Sequence, residues 1–146
     1  MESVGNILDE KGSQVHATRP ESTVFEAVRE MCSHRVGALL VIDHNTPVGM
    51  ISERDVMVRV ILAGRDPAST TVGEVMTRDV ICVSREVRAA EAMAIVTQRR
   101  CRHLPVVDEG RVTGMISIGD LVRFISQNQA YEIQMLRDYV NGRYPA

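Results

Sequence analysis

The chain has 146 residues, enough for one ordinary domain or two small ones sharing a core, and enough to bury about 70% of its unfolded surface without a disulfide or a metal. Its formal net charge of −2 gives no basic excess to attract nucleic acid. No apolar run approaches the roughly 20 residues of a membrane span, and the opening MESVGNILDEKGSQ lacks a signal peptide's basic and apolar regions, so the expectation is a cytoplasmic protein with no nucleic-acid or membrane partner.

In chain order, a short helical piece is predicted over residues 4–8 and an extended stretch over 15–18. An amphipathic helix follows over 23–33, where Val24, Ala27, Val28 and Met31 recur on one face. Ser22 or Thr23 can cap it, with Glu26 placed for a capping box. Strands are predicted over 38–42 and 48–51 around the turn Asp43-His44-Asn45-Thr46, then a helix from Arg54 to Leu62. The stretch LAGRDPASTT at 62–71 reads as a linker. The series then restarts with a helical piece at 72–76 and an extended stretch at 80–83. A helix follows with Ala89, Ala92, Met93 and Val96 on one face. Strands at 104–107 and 113–116 flank the turn Asp108-Glu109-Gly110-Arg111, and a helix starts near Gly119. Beyond it, residues 124–144 suggest a packing helix, with Ile133, Leu136 and Val140 in a stripe and the tyrosines Tyr131, Tyr139 and Tyr144 alongside.

The restart is a duplication. Gly49-Met50-Ile51-Ser52-Glu53-Arg54-Asp55 matches Gly114-Met115-Ile116-Ser117-Ile118-Gly119-Asp120 at an offset of 65 (114 against 49). The same offset pairs Leu39, Val41 and Asp43 with Leu104, Val106 and Asp108, without a gap from Val15 to Ile61. Upstream, Val4-Gly5 matches Val72-Gly73 at an offset of 68, so the first copy carries three extra residues near Lys11-Gly12. The implied organisation is repeat 1 over 1–62, a linker over 63–71, repeat 2 over 72–126 and a helical tail over 127–146. Each repeat reads β-α-β-β-α, an α/β (α+β) class. A sheet of three strands cannot bury both faces alone, so the copies are expected to pack about a pseudo-two-fold axis with clefts at the strand ends.

In the repeated G-M-I-S-x-x-D the strand delivers Ser52 or Ser117 to a helix start, whose unsatisfied N–H groups and positive dipole end suit a phosphate. Asp55 or Asp120, three residues on, can accept both hydroxyls of a cis-diol such as a ribose. The alternative for either copy is an ordinary capping box; recurrence in both favours a ligand.

The duplicated signature, with His103-Leu104-Pro105-Val106-Val107-Asp108 before its second copy and Val75-Met76-Thr77-Arg78-Asp79-Val80-Ile81-Cys82-Val83 opening that copy, resembles a CBS-domain pair (a Bateman module) of the stand-alone bacterial type over about residues 4–125. The resemblance implies a non-catalytic regulatory module that binds an adenine nucleotide (AMP, ADP or ATP, or else NAD or S-adenosylmethionine) in the cleft between repeats and repacks on binding. It implies ribose contact for Asp55 and Asp120, and phosphate contact for Ser52 and Ser117. Adenine would meet Thr77, Ile81, Cys101 and Arg102 in the second copy, and His16, Val36 and Gly37 in the first. Arg102 and His103 are further expected at phosphates. A homodimer is also implied.

The first copy departs from the pattern, with Gly37-Ala38 where the second has Arg102-His103 and Leu40 for Pro105. Arg54 is expected to compensate as a ligand contact there, while in the second copy Gly119 allows close backbone approach to the ligand instead. The two sites are therefore expected to differ, and which adenine-side residues join which Asp stays open. No nucleophile–base pair, P-loop or metal-ligand cluster is visible, so no catalytic residue, metal or catalytic cofactor is expected. Cys32, Cys82 and Cys101 read as reduced thiols. The competing reading is a ligand-free scaffold that regulates a separate enzyme or transporter.

Overall fold

The computed structural model describes residues 3–127 and 134–142 in full and 130–133 in backbone. In chain order the elements are α1 (Val4–Lys11), β1 (Ala17–Thr18), α2 (Val24–His34), β2 (Ala38–Asp43), β3 (Thr46–Ser52), α3 (Glu53–Val56) continued by a π-helical turn over Met57–Ile61, α4 (Val72–Val75), α5 (Ala89–Arg99), β4 (His103–Asp108), β5 (Arg111–Ser117), α6 (Ile118–Ser126) and α7 (Ala130–Val140). They condense into two compact units. One is continuous, Val15–Val80; the other is composite, joining the residues up to Gln14 to those from Ile81 onward.

The continuous unit is a three-stranded sheet in the order β1-β2-β3, β1 parallel and β3 antiparallel to β2. Thr23 caps α2, accepting from the Glu26 N–H, while Glu26 accepts from the Thr23 N–H at 2.9 Å. The remaining first-turn donors are met by the segment at 63–71: Val24 N–H donates to Thr70 O and Phe25 N–H to Pro67 O. Val24, Ala27 and Met31 of α2 then close over Leu39, Val41 and Ile51, with Val72, Val75 and Met76 from α4 and its end completing the core. The helix expected from Arg54 to Leu62 widens instead into a π turn, in which Leu62 N–H donates to Met57 O. Val60 is thereby fully buried, and the Arg59 guanidinium donates to Val75 O and Met76 O at 3.0 and 3.1 Å.

The composite unit holds the β4-β5 hairpin, α5, α6 and, from the far end of the sequence, α1. Val4, Ile7 and Leu8 of α1 are buried against Ala92, Val96, Leu104, Ile116 and Leu121. Val4 N–H donates to Val87 O and Gly5 N–H to Arg85 O, and Arg85 pairs with Asp9 at 2.9 Å. The opening helix of the first repeat thus completes the body of the second, and α4, which opens the second, completes the body of the first.

The duplication extends to backbone detail. Arg35 and Arg100 end α2 and α5 in the left-handed conformation, at φ 56° and 55°. Both hairpin turns have positive φ at their central residues, His44-Asn45 and Glu109-Gly110, as a type I′ turn requires. Both hairpins bulge at equivalent places, between Val41/Ile42 and Val106/Val107.

The repeats differ in one strand. The extended stretch expected at 80–83 pairs only through Val83, bridged to Val106. In the first repeat Leu40 N–H donates to His16 O at 3.1 Å. The residue matching Leu40 is Pro105, which has no N–H to offer the carbonyl of Ile81. Of the C-terminal stripe, Leu136 is half-buried and Val140 exposed, while Tyr139 packs on the composite core. The side chains of Tyr131 and Ile133, and Tyr144, lie outside the described residues.

Candidate functional site

Both signatures fold into the same device. The glycine that opens each lets the end of an opening helix lie directly on the strand. A Cβ at Gly49 would meet Met76 Sδ and Thr77 O at 2.7 Å, and one at Gly114 would meet the Leu8 methyl groups at 2.8 Å. Three residues on, Ser52 and Ser117 cap α3 and α6. Asp55 N–H donates to Ser52 Oγ at 3.2 Å and Ser52 N–H to Asp55 Oδ2 at 2.9 Å. The corresponding distances at Ser117 and Asp120 are 3.0 and 2.9 Å. The capping box weighed against a ligand role is therefore present in both repeats, and it engages one carboxylate oxygen, Oδ2, of each aspartate.

The second oxygen separates the sites. In the continuous unit Thr77 Oγ1 donates to Asp55 Oδ1 at 3.2 Å, while the Thr77 backbone exchanges hydrogen bonds with Met50 at 2.9 and 2.8 Å. Thr77 therefore belongs with the Asp of the first signature. Arg59 Nε stands 4.0 Å from Asp55 Oδ1. In the composite unit Arg123 donates to Asp120 Oδ1 at 2.8 Å, and the Lys11 ammonium donates to Asp120 Oδ2 at 2.7 Å and to Met115 O at 2.9 Å. Asp120 is 7% exposed. Its burial opposes ionisation, but the Lys11 hydrogen bond, the Ser117 N–H and the Lys11 charge outweigh this and hold the carboxyl below the usual carboxylate range.

Strand pairing brings the strand-opening residues to the same corners. Glu53 N–H donates to Gly37 O and Ile118 N–H to Arg102 O, both at 2.9 Å. His103 lies opposite Ser117. Burial pushes its imidazole below the ordinary 6.5; the nearby Asp120 charge opposes that shift and the Arg102 and Lys11 charges add to it. Val36 and Gly37 line an apolar groove of about 470 Å³ beside α2 and α3, with Met31, Cys32, Glu53 and Met57. Of the other expected residues, His16 stacks on His34 with ring centroids 4.3 Å apart, Arg54 is exposed, and Ile81 and Cys101 pack on the composite core. Burial raises the Cys101 thiol pKa. Gly119 is exposed, and a Cβ there would meet only Ser117 Oγ, at 3.6 Å.

Lys11, Arg59 and Arg123 are the site residues that sequence reading missed. Lys11 sits in the three extra residues of the first copy. The opening-helix register aligns Asp9 with Thr77 and the strand register aligns Gly12 with it, so neither points to Lys11. Leu8 and Met76, which do match at an offset of 68, both cover a signature glycine. A cation just past that match was the available signal.

The CBS domain family model matches residues 7–61 and 72–127, the two stretches that carry these corners. The chain belongs to the CBS-domain family. It is similar to the CBS domain-containing protein CBSX3, mitochondrial, of Arabidopsis thaliana, with 38% identity over 149 residues, covering 99% of this chain and 71% of the relative. A solved CBS-domain protein of Burkholderia ambifaria, thought to act in signal transduction, superposes with a TM-score of 0.80 at 37% identity, covering 88% of this chain and 96% of its own. CBSX2, solved in complex with AMP, gives a TM-score of 0.72 at 26% identity over 87% of this chain and 98% of its own. Among the described residues no helix is long and apolar enough to cross a membrane, and no group of three or more His, Cys, Asp and Glu is placed to hold a metal ion.

Proposed function

We propose that this CBS-domain protein is a non-catalytic regulatory module that binds an adenine nucleotide at its two signature corners. The observation that carries the reading is the recurrence of one corner in both repeats. Each combines a helix start suited to phosphate with a carboxylate three residues on, whose Oδ1 is turned away from its cap toward polar groups. The AMP complex of CBSX2 supports adenine nucleotide as the ligand class. Binding would act by population shift, favouring the packing that best holds the ligand, and a regulated protein would read the change. On this reading the module is a cytoplasmic homodimer, in which the exposed Met57, Val58, Ile61 and Leu62 would find cover.

A second reading has support of its own: both aspartates are already satisfied internally, as a ligand-free scaffold would require. Calorimetric titration with AMP, ATP, NAD and S-adenosylmethionine separates the two. The expected result is saturable binding, weakened about tenfold or more by Asp55→Asn or Asp120→Asn, since a charge-assisted hydrogen bond to a hydroxyl is worth about 1.5–3 kcal/mol. A folded protein that binds none of them would leave the scaffold.

A further inference from the structure

We infer that Lys11 makes the Asp120 corner selective for phosphorylated adenosyl ligands, so that it discriminates against uncharged adenosine and cationic S-adenosylmethionine; this rests on the nucleotide-binding reading above. Lys11 does in one repeat what Thr77 does in the other, with a charge added. Thr77 supplies an N–H to Met50 O and a hydroxyl to Asp55. At the matching place the Lys11 ammonium alone supplies a donor to Met115 O and another to Asp120.

A carboxylate oxygen has about two acceptor positions. On Asp120, Oδ2 already accepts from Ser117 N–H and Lys11, and Oδ1 from Arg123. At most one position is left, on Oδ1, while a ribose cis-diol brings two hydroxyl donors. The ribose therefore competes there with Arg123, and on Oδ2 with Lys11 and the Ser117 hydroxyl. At Asp55 the non-backbone donors are the Ser52 and Thr77 hydroxyls, which rotate aside without moving charge. At Asp120 two cations hold the carboxylate, Lys11 with its side chain 33% exposed and Arg123 with its side chain 67% exposed. A ribose that weakens either contact leaves positive charge in the cavity, which is unfavourable unless another anion arrives. Glu10 on the same rim is exposed and screened by solvent, so it replaces Asp120 poorly.

A phosphate joined to the ribose brings the missing anion with it and meets Lys11 and Arg123 as a charge-assisted partner. Adenosine brings none, and S-adenosylmethionine, whose sulfonium and ammonium outweigh its single carboxylate at the far end of the methionine chain, adds net like charge. The cavity walled by Lys11, Asp120, Arg123, Phe124 and Gln127 is about 220 Å³, below the roughly 300 Å³ of the smallest whole-ligand pockets. It suits the ribose-phosphate end of a nucleotide.

The test is calorimetry in an Asp55→Asn background, which leaves the Asp120 corner to report. Binding of AMP and adenosine is compared with and without Lys11→Met, whose side chain keeps the length and loses the charge, and circular dichroism confirms the fold. The expected preference for AMP over adenosine is about tenfold or more and falls several-fold in Lys11→Met, largely through weaker AMP binding; Lys11→Arg restores it. An AMP-to-adenosine ratio unchanged by Lys11→Met, with AMP still bound, overturns the inference and leaves the nucleotide-binding reading intact. If no adenosyl compound binds the protein with both aspartates in place, that reading falls and takes the inference with it.

Discussion

At the scale of single residues, the two aspartates occupy matching places and live in different electrostatic surroundings. Asp55 faces a hydroxyl, with the Arg59 guanidinium 4.0 Å away, while Asp120 holds an ammonium and a guanidinium at hydrogen-bond distance. His103 belongs to the second environment, and its imidazole is held below the ordinary 6.5 chiefly by burial. The sign follows from proton counting. Below pH 6.5 the unfolded chain binds a proton that the folded chain still refuses, so acid favours unfolding. This contribution to stability is fully present above pH 6.5 and is lost as the pH falls from there through the lower folded value. Urea midpoints between pH 7.5 and 5 are expected to drop with acid, and His103→Gln is expected to flatten that drop. An identical slope in the variant would mean that His103 is not the group responsible. The signature residues themselves were legible, because their spacing repeats without a gap. Their counter-ions were not: Lys11 is reached through the fold across more than a hundred residues, and no local pattern records such a contact.

At the scale of elements, helix caps and hairpin turns are local chemistry, and the sequence displays them. The Thr23/Glu26 box and the two I′ turns stand where Ser, Thr, Asn, Asp and Gly place them. The opening strands are less legible, since they depend on what the neighbouring strand can donate. Pro105 is the instance. Pro105→Leu gives β4 the N–H that Leu40 gives β2, and pairing is expected to extend from Val83 back to Ile81. The gain is about 1 kcal/mol, the net value of one backbone hydrogen bond, less any strain from repacking the buried site. Hydrogen exchange at residue 105 is the check: a slowly exchanging amide supports the account, and a fast one refutes it. The π turn over Met57–Ile61 was not legible either: within it Arg59 reaches the carbonyls of Val75 and Met76, a distant segment that the pattern of 53–62 does not record.

At the scale of the whole molecule, the repeated unit of sequence and the compact unit of structure have different boundaries. Apolar periodicity shows that a helix has a face to bury and is silent about which body receives it. Val4, Ile7 and Leu8, at the start of the first repeat, are 0%, 4% and 1% exposed within the composite unit. Burying each such side chain contributes about 1.5–3 kcal/mol, so deleting residues 1–12 is expected to destabilise the composite unit by several kcal/mol. Hydrogen exchange should then accelerate across α5 and α6, far along the chain from the cut, with α2 of the continuous unit largely unaffected. Acceleration centred on α2 would contradict the assignment of α1 to the composite unit.

The exchange of opening helices also bears on how such a chain could arise. A lone copy of the repeat carries a helix whose receiving body lies on another copy, so it leaves two apolar surfaces open. Two lone copies would cover both by trading helices, which is a domain-swapped dimer. The tandem chain is that dimer with its subunits fused. Fusion replaces a concentration-dependent association with an intramolecular one, and it frees the two copies to diverge. The charge that distinguishes one corner from the other could be added only after the symmetry of two identical subunits had been broken.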